Sequence, residues 1–347
     1  MQATIELEAA LRQRREGALF IDVRTPAEYH ETTIPGAINV PLFNNEERAE
    51  IGLLYKQQGK MAARRRGVIL AAPRIPALVE QVDAARQGSA RPVVAFCWRG
   101  GMRSLAMASF MNLAGIPTRQ LTGGHKAFRR QVCAAFAQTA WPPIYVLRGL
   151  TGVGKTRILQ LLEQRGYPTI DLEGLANHRG SAFGALGLAA QPSQKLFEAR
   201  LWDRLDQLSG SPYLITEGES RHIGRLRIPE SFHRAMQEQT SLWLSTSMAQ
   251  RTAVILGDYP ALAELTEPIA QALGSLKERL GNAAVGRLQQ LLAEQDWETL
   301  IAELMVSYYD PLYLHTMPAR RIDIAFTSLD QGTDKVVAAI ADLHRKH

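Results

Sequence analysis

Short apolar runs alternate along this 347-residue chain with stretches whose apolar residues recur every three or four positions. The run "ALFIDVR" (18–24) predicts a buried strand, "GAINVPL" (36–42) a second one after a Pro-Gly turn, and "PVVAF" (92–96) a third. Next, "MRSLAMASFMNLAG" (102–115) has helical apolar spacing and a terminal glycine as its stop signal. At "AQTAWPP" (137–143) the helical pattern ends in two prolines, which predicts a boundary between domains 1–138 and 139–347. The second part alternates again: "IYVLRG" (144–149), a helix from Lys155, "YPTIDL" (167–172), a helix over 194–208, "PYLITEG" (212–218), "SLWLST" (241–246), and "RIDIAFTS" (321–328) before a last helix. Alternating strands and helices predict two α/β domains with mainly parallel sheets, and 260–305 reads as additional helices. Ligands of such sheets bind beyond the carboxyl ends of the strands, where Cys97 falls.

A length of 347 residues favours two cores over one. The formal net charge of +6 makes an anionic partner plausible, nucleic acid or phosphorylated small molecules among them, without choosing between these. Two cysteines, Cys97 and Cys133, argue against a disulfide framework and for a reducing, cytoplasmic compartment. Cys133 follows Val132 and precedes Phe136 in a helical pattern, which predicts a core position. No apolar run reaches membrane-spanning length, and "MQATIELEAALRQRREG" lacks the apolar centre of a signal peptide. The expectation is a soluble protein.

The stretch "FCWRGGMRS" (96–104) sets Cys97 between a strand and a helix. Loop amides and a helix N-terminus there favour an anionic sulfur, Gly100 and Gly101 let the loop curl, and Arg99 and Arg103 add positive charge. The residues alone leave three readings open: a core cysteine, a phosphatase-type nucleophile, or a carrier of a sulfur-like atom.

The second motif, "GLTGVGKT" (149–156), fits G-x-x-x-x-G-K-[ST] between a predicted strand and a predicted helix, the context a phosphate loop requires. Gly149, Gly152, Val153 and Gly154 shape the loop. Amides from Gly152 to Thr156 would cradle a diphosphate, Lys155 would neutralise it, and Thr156 could hold Mg2+. Acidic candidates near such a metal are Glu217 and Glu219 in "EGESR", with Asp171 and Glu173 in "DLEGLANHRGSAFG" and the nearby Arg221 as a second phosphate or metal site.

"IDVRTPAEYHETTIPGAIN" (21–39) resembles the rhodanese family, whose domains hold a persulfide on the loop cysteine; Thr32 and Thr33 stand where many members have Gly-His. Joined to a P-loop domain, and with "NNEERAEIGLLYKQQGK" (44–60), "CWRGGMRS", "LTGGHKAFRR" (121–130), "DLEGLANHRGSAFG" (171–184), "ESRHIG" (219–224) and "YYDPLY" (308–313), the chain resembles end to end the tRNA 2-selenouridine synthase family. Two further positions depart from its pattern: His125 stands where tyrosine is frequent, and Gly218 where an acidic residue is.

That resemblance implies a rhodanese-like domain followed by a P-loop NTPase-like domain, and a transferase acting on tRNA with 2-thiouridine at the wobble position. It implies selenophosphate and geranyl diphosphate as substrates, with S-geranyl-2-thiouridine as the intermediate. Cys97 would carry selenium, flanked by Arg99 and Arg103, and the phosphate loop would hold the diphosphate. Candidates for tRNA contact are Tyr55, Lys56 and the cluster Arg64, Arg65 and Arg66, whose ordinary role is a solvated helix face. Two other readings remain for the residues alone: a sulfurtransferase fused to a small-molecule kinase, and a nucleotide-sensing adaptor, against which the intact cysteine loop counts.

Overall fold

Leu19–Asp22 and Val93–Phe96 are buried at every position, as strands are when helices cover both sheet faces. The structure, a computed structural model, describes residues 3–137, 140–181, 183–218, 220–314 and 317–345. Contacts divide it into two units: Met1–Ala137 with Glu198–Asp203, and Gln138–Phe197 with Arg204–His347. Glu219 lies outside the described residues.

In the first unit β1 (Thr4–Ile5), β2 (Leu19–Asp22), β3 (Ile38–Asn39), β4 (Val93–Phe96) and β5 (Thr118–Leu121) form a parallel sheet in the order β1-β5-β4-β2-β3. The two-residue period of a strand sorts its side chains: Ile21, Val93, Ala95 and Cys97 join one apolar cluster, Phe20, Val94 and Phe96 another. The expected strand over 36–42 shrinks to Ile38–Asn39 at the sheet edge. There the Asn39 amide donates to the Asp22 and Arg24 carbonyls (2.9 and 3.0 Å), a side chain taking the place of further ladder. Cys133, expected in the core, is exposed: the helix Gly124–Ala137 buries Phe128 and Val132 and turns Cys133 outward.

The long helical segment Asn45–Ala71 is two helices, broken at Gly59, whose φ of 84° suits only glycine without strain. Its second limb returns along the first. Arg66 Nε donates to Glu50 Oε1 at 2.5 Å, and Gly67 packs against Phe43 and Ile51.

The second unit has β6 (Ile144–Gly149), β7 (Thr169–Ile170), β8 (Leu214–Glu217), a ribbon of β9 (His222–Ile223) and β10 (Leu226–Arg227), β11 (Ser241–Ser245) and β12 (Arg321–Ala325). Its parallel sheet runs β12-β11-β6-β8-β7, so the strand carrying the phosphate loop is central. The stretch 260–305 contains Thr266–Ser275, Lys277–Leu280, Asn282–Ala293 and Trp297–Leu304, packed around Leu273, Val285, Leu288 and Leu291. A π-helical turn, Met305–Tyr309, follows. Among the described residues no helix is long and apolar enough to cross a membrane.

Candidate functional site

Cys97 follows β4 directly, and its loop ends in the helix Met102–Leu113, so its sulfur faces the helix start. The Gly101 N–H donates to Cys97 Sγ at 3.1 Å, and Ser104 Oγ lies 3.2 Å from it. Ser104 is itself held by Gln120 Nε2, which donates to Ser104 Oγ and to the Gly101 carbonyl, both at 2.9 Å. An N–H and a hydroxyl aimed at sulfur stabilise its anionic form. The loop is closed from outside by "GGHK": the His125 and Lys126 N–H groups donate to the Cys97 and Trp98 carbonyls at 2.8 and 2.9 Å. A Cβ on Gly124 would lie 2.2 Å from the Cys97 carbonyl oxygen, so only glycine fits.

The two candidate arginines differ. Arg103 makes a bidentate pair with Glu28 (2.6 and 3.1 Å), so its charge is already matched. Burial pulls the Glu28 carboxyl toward its neutral form, but the hydrogen bonds and charge of Arg103 outweigh this, aided by the Thr25 N–H and Arg24, and hold it below the usual carboxylate range. Arg99 is exposed and lines a cavity of about 790 Å3 in front of Cys97. Tyr55 and Lys56, with Arg48, line the same cavity from the first limb of the helical hairpin. Arg64, Arg65 and Arg66 do not. They lie on the second limb, Arg64 and Arg65 exposed and Arg66 paired with Glu50.

In the second unit, Gly149 ends β6 and Lys155 starts the helix Lys155–Gln164, with Gly152 and Gly154 at positive φ (78° and 88°) and Val153 buried beneath the loop. Loop residues from Thr151 to Thr156, Val153 excepted, line a cavity of about 320 Å3 together with Glu173, Arg179 and Tyr313. Thr156 Oγ1 donates to Glu173 Oε2 at 2.9 Å, and the Glu173 N–H donates to Glu217 Oε1 at 2.8 Å. Glu217 is fully buried at the end of β8, beside β6. Asp171, two residues from Glu173, caps the helix Leu172–Ala176 by accepting from the Gly174 N–H at 2.6 Å and lines none of these cavities. Burial pushes its carboxyl above the usual range, against that hydrogen bond, with Glu163 adding to the rise. Arg221 is likewise apart from the phosphate loop cavity: it pairs with Glu230 and lines a neighbouring one.

Residues 142–345 match the family model described as the tRNA 2-selenouridine synthase AAA domain, and residues 6–131 that of the rhodanese-like domain. The tRNA 2-selenouridine synthase of Cupriavidus necator is 34% identical over 367 residues, covering 95% of each chain. The chain belongs to the tRNA 2-selenouridine synthase family. Relatives of the same name from Nitrosomonas europaea (32% identical, 90% of this chain and 92% of the relative) and Chromohalobacter salexigens (35%, 86% and 87%) extend the match.

Where the chain departs from the family's pattern, each residue has a visible place. The Thr33 hydroxyl donates to Asp22 Oδ2 at 2.8 Å, and the Thr32 carbonyl accepts from Arg24 at 2.5 Å, completing the buried Asp22–Arg24 pair. His125 is buried among Phe96, Trp98 and Phe128, with ring centroids 5.6 to 6.4 Å apart. A Cβ on Gly218 would lie 2.5 Å from Arg148 Cγ, so a larger residue would displace that arginine.

Two residues absent from the sequence-derived candidates support the sites. Gln120, on β5, positions Ser104; its only signal was an alternating "TRQL" too polar to read as a strand. Arg251, 4% exposed, donates to the Thr151 carbonyl at 2.8 Å and holds Asp310 through two hydrogen bonds (2.9 and 2.5 Å). It thereby ties the phosphate loop to the "YYDP" segment.

Proposed function

We propose that this chain is a tRNA-modifying transferase that converts wobble 2-thiouridine to 2-selenouridine in two steps, geranylation in the P-loop unit and selenium transfer at Cys97. In the first, a lone pair on the thiocarbonyl sulfur forms a bond to C1 of geranyl diphosphate. The C1–O bond breaks, its electrons leave on diphosphate, and the N3 proton of the base passes to water. In the second, Cys97 enters as a mixed disulfide with a small thiol; water cleaves the P–Se bond of selenophosphate, phosphate leaves, and the released selenide displaces the small thiol to form the sulfur–selenium bond. The selenium then displaces geranylthiol from C2, and the small thiol cleaves the sulfur–selenium link, which frees the selenouridine and restores the mixed disulfide. Alkylation first is chemically reasonable, because a thiocarbonyl sulfur is a poor leaving group and a thioether sulfur a better one.

The observation that carries the first step is an apolar cavity of about 100 Å3 that shares Thr151, Ser181, Ile255 and Tyr259 with the phosphate loop cavity. Leu273, Trp297, Leu300 and Ile301 of the additional helices wall it, which gives that module a purpose: an apolar chain attached to a diphosphate. Thr156 and Glu173, whose side chains meet at 2.9 Å and line the phosphate loop cavity, offer oxygen donors suited to Mg2+, which keeps several waters and takes further ligands from substrate phosphates. When bound, the ion would neutralise charge developing on the diphosphate. Nucleoside mass analysis after incubation with thiouridine-containing tRNA tests this reading. Geranyl diphosphate should give the S-geranyl nucleoside, and dimethylallyl diphosphate, five carbons shorter, should be used at least tenfold less well, each buried methylene contributing up to about 0.8 kcal/mol. Equal use of both would contradict a role for the apolar cavity.

tRNA binding should be salt-sensitive through the hairpin's second limb. Replacing Arg64 and Arg65 by alanine should flatten the slope of log affinity against log salt by about 1 to 2, with Arg66→Ala adding less because Glu50 already pairs with it. An unchanged slope would mark these arginines as a solvated face.

A further inference from the structure

A third cavity, of about 560 Å3, adjoins the phosphate loop and has no role in the steps above. Trp243 of β11, Tyr308 and Tyr313 give it flat apolar walls, while Arg148 of β6, Arg221 and His233 give it a basic side. Among the described residues lining it there is no carboxylate. Arg221 is half-exposed and its partner Glu230 more so, a pair weak enough to yield to a phosphate. Gly218, in the same wall, leaves room for the Arg148 stem, because a Cβ there would lie 2.5 Å from Arg148 Cγ.

The position of this cavity is as informative as its lining. Ser181 lines three cavities of the second unit together: the phosphate loop cavity, the apolar cavity and this one. Tyr313 joins it to the first of these and Tyr309 to the second. A displacement at carbon needs a nucleophile, a carbon chain and a leaving group to converge, each approaching from its own side. If diphosphate occupies the first cavity and the prenyl chain the second, their junction is open to a nucleophile from the third.

We propose that this third cavity receives the acceptor nucleotide of the RNA, its pyrimidine against Trp243, Tyr308 and Tyr313 and its flanking phosphates on Arg148 and Arg221, with the 2-position sulfur directed at Ser181. This rests on the prenyl-diphosphate reading of the phosphate loop. Aromatic faces and arginines are how proteins hold a base taken out of a single-stranded loop, and a wobble base in an anticodon loop is such a base.

The test uses the full chain with an anticodon stem-loop RNA carrying 5-iodouridine at the wobble position, irradiated and mapped by peptide mass. Cross-links should fall on Trp243 or within residues 308–313. Cross-links confined to other segments, including Tyr55 or Trp98 beside Cys97, would overturn the assignment. This readout needs no prenyl transfer, so it stands even if the prenyl-diphosphate reading fails. With active protein, Arg148→Met and Arg221→Met should each raise KM for the 2-thiouridine stem-loop about tenfold while leaving KM for geranyl diphosphate unchanged. An unchanged RNA KM, or an equal rise for both substrates, would also overturn it.

Discussion

Lys155→Ala should lower the rate of geranylation by tens to several hundred fold while leaving selenium transfer to a pre-geranylated tRNA within a few fold of the unmodified chain. Lys155 starts the helix behind the phosphate loop and lines the phosphate cavity, its ammonium 5.7 Å from the Tyr313 ring centroid. On the proposed reading the loop holds a prenyl diphosphate, which already carries its leaving group, and the site would have to stabilise the charge that grows as the C1–O bond breaks. Losing one such contact costs roughly 2 to 4 kcal/mol of barrier. Single-turnover assays with the two tRNA substrates separate the steps. An equal loss on both would mean that the loop serves selenium transfer as well, and the division of labour between the units would be wrong.

Cys97→Ser should abolish selenium insertion and leave geranylation within about twofold. Serine can keep the local geometry, since a hydroxyl can still accept from the Gly101 N–H and bond to Ser104, as Cys97 does at 3.1 and 3.2 Å. What it cannot do is hold selenium, because an alcohol is neither ionised near neutral pH nor able to form the sulfur–selenium bond. Nucleoside analysis that found S-geranyl-2-thiouridine accumulating would fit this role. Selenouridine formed at the unmodified rate would show that selenophosphate reaches the base without the cysteine.

Both candidate motifs were visible in the sequence because each is local: the phosphate loop is eight consecutive residues, and the cysteine loop joins one strand to the next helix. What surrounds them was not, because it comes from distant segments. The 45–71 segment breaks at Gly59, at positive φ, so that Tyr55 and Lys56 come to the Cys97 cavity while the arginine cluster stays on the other limb. Asp171 and Glu173 look equivalent on paper, yet the start of a helix between them assigns one to capping and the other to Thr156. Arg251 and Asp310 meet across 59 positions of chain, and no spacing rule links them. The helices of 260–305 carry ordinary core periodicity; their role depends on which loop they wall, and that is a property of packing rather than of pattern.

The use of the phosphate loop for a prenyl diphosphate rather than for ATP is open to one direct measurement. Thiouridine-containing tRNA, selenophosphate and labelled ATP are supplied with the full chain, with and without geranyl diphosphate, and phosphate release is followed alongside selenouridine. Selenouridine should form only when geranyl diphosphate is present, with no ATP cleaved. One ATP cleaved per selenium inserted, in its absence, would mean that the loop activates the base by phosphorylation or adenylation.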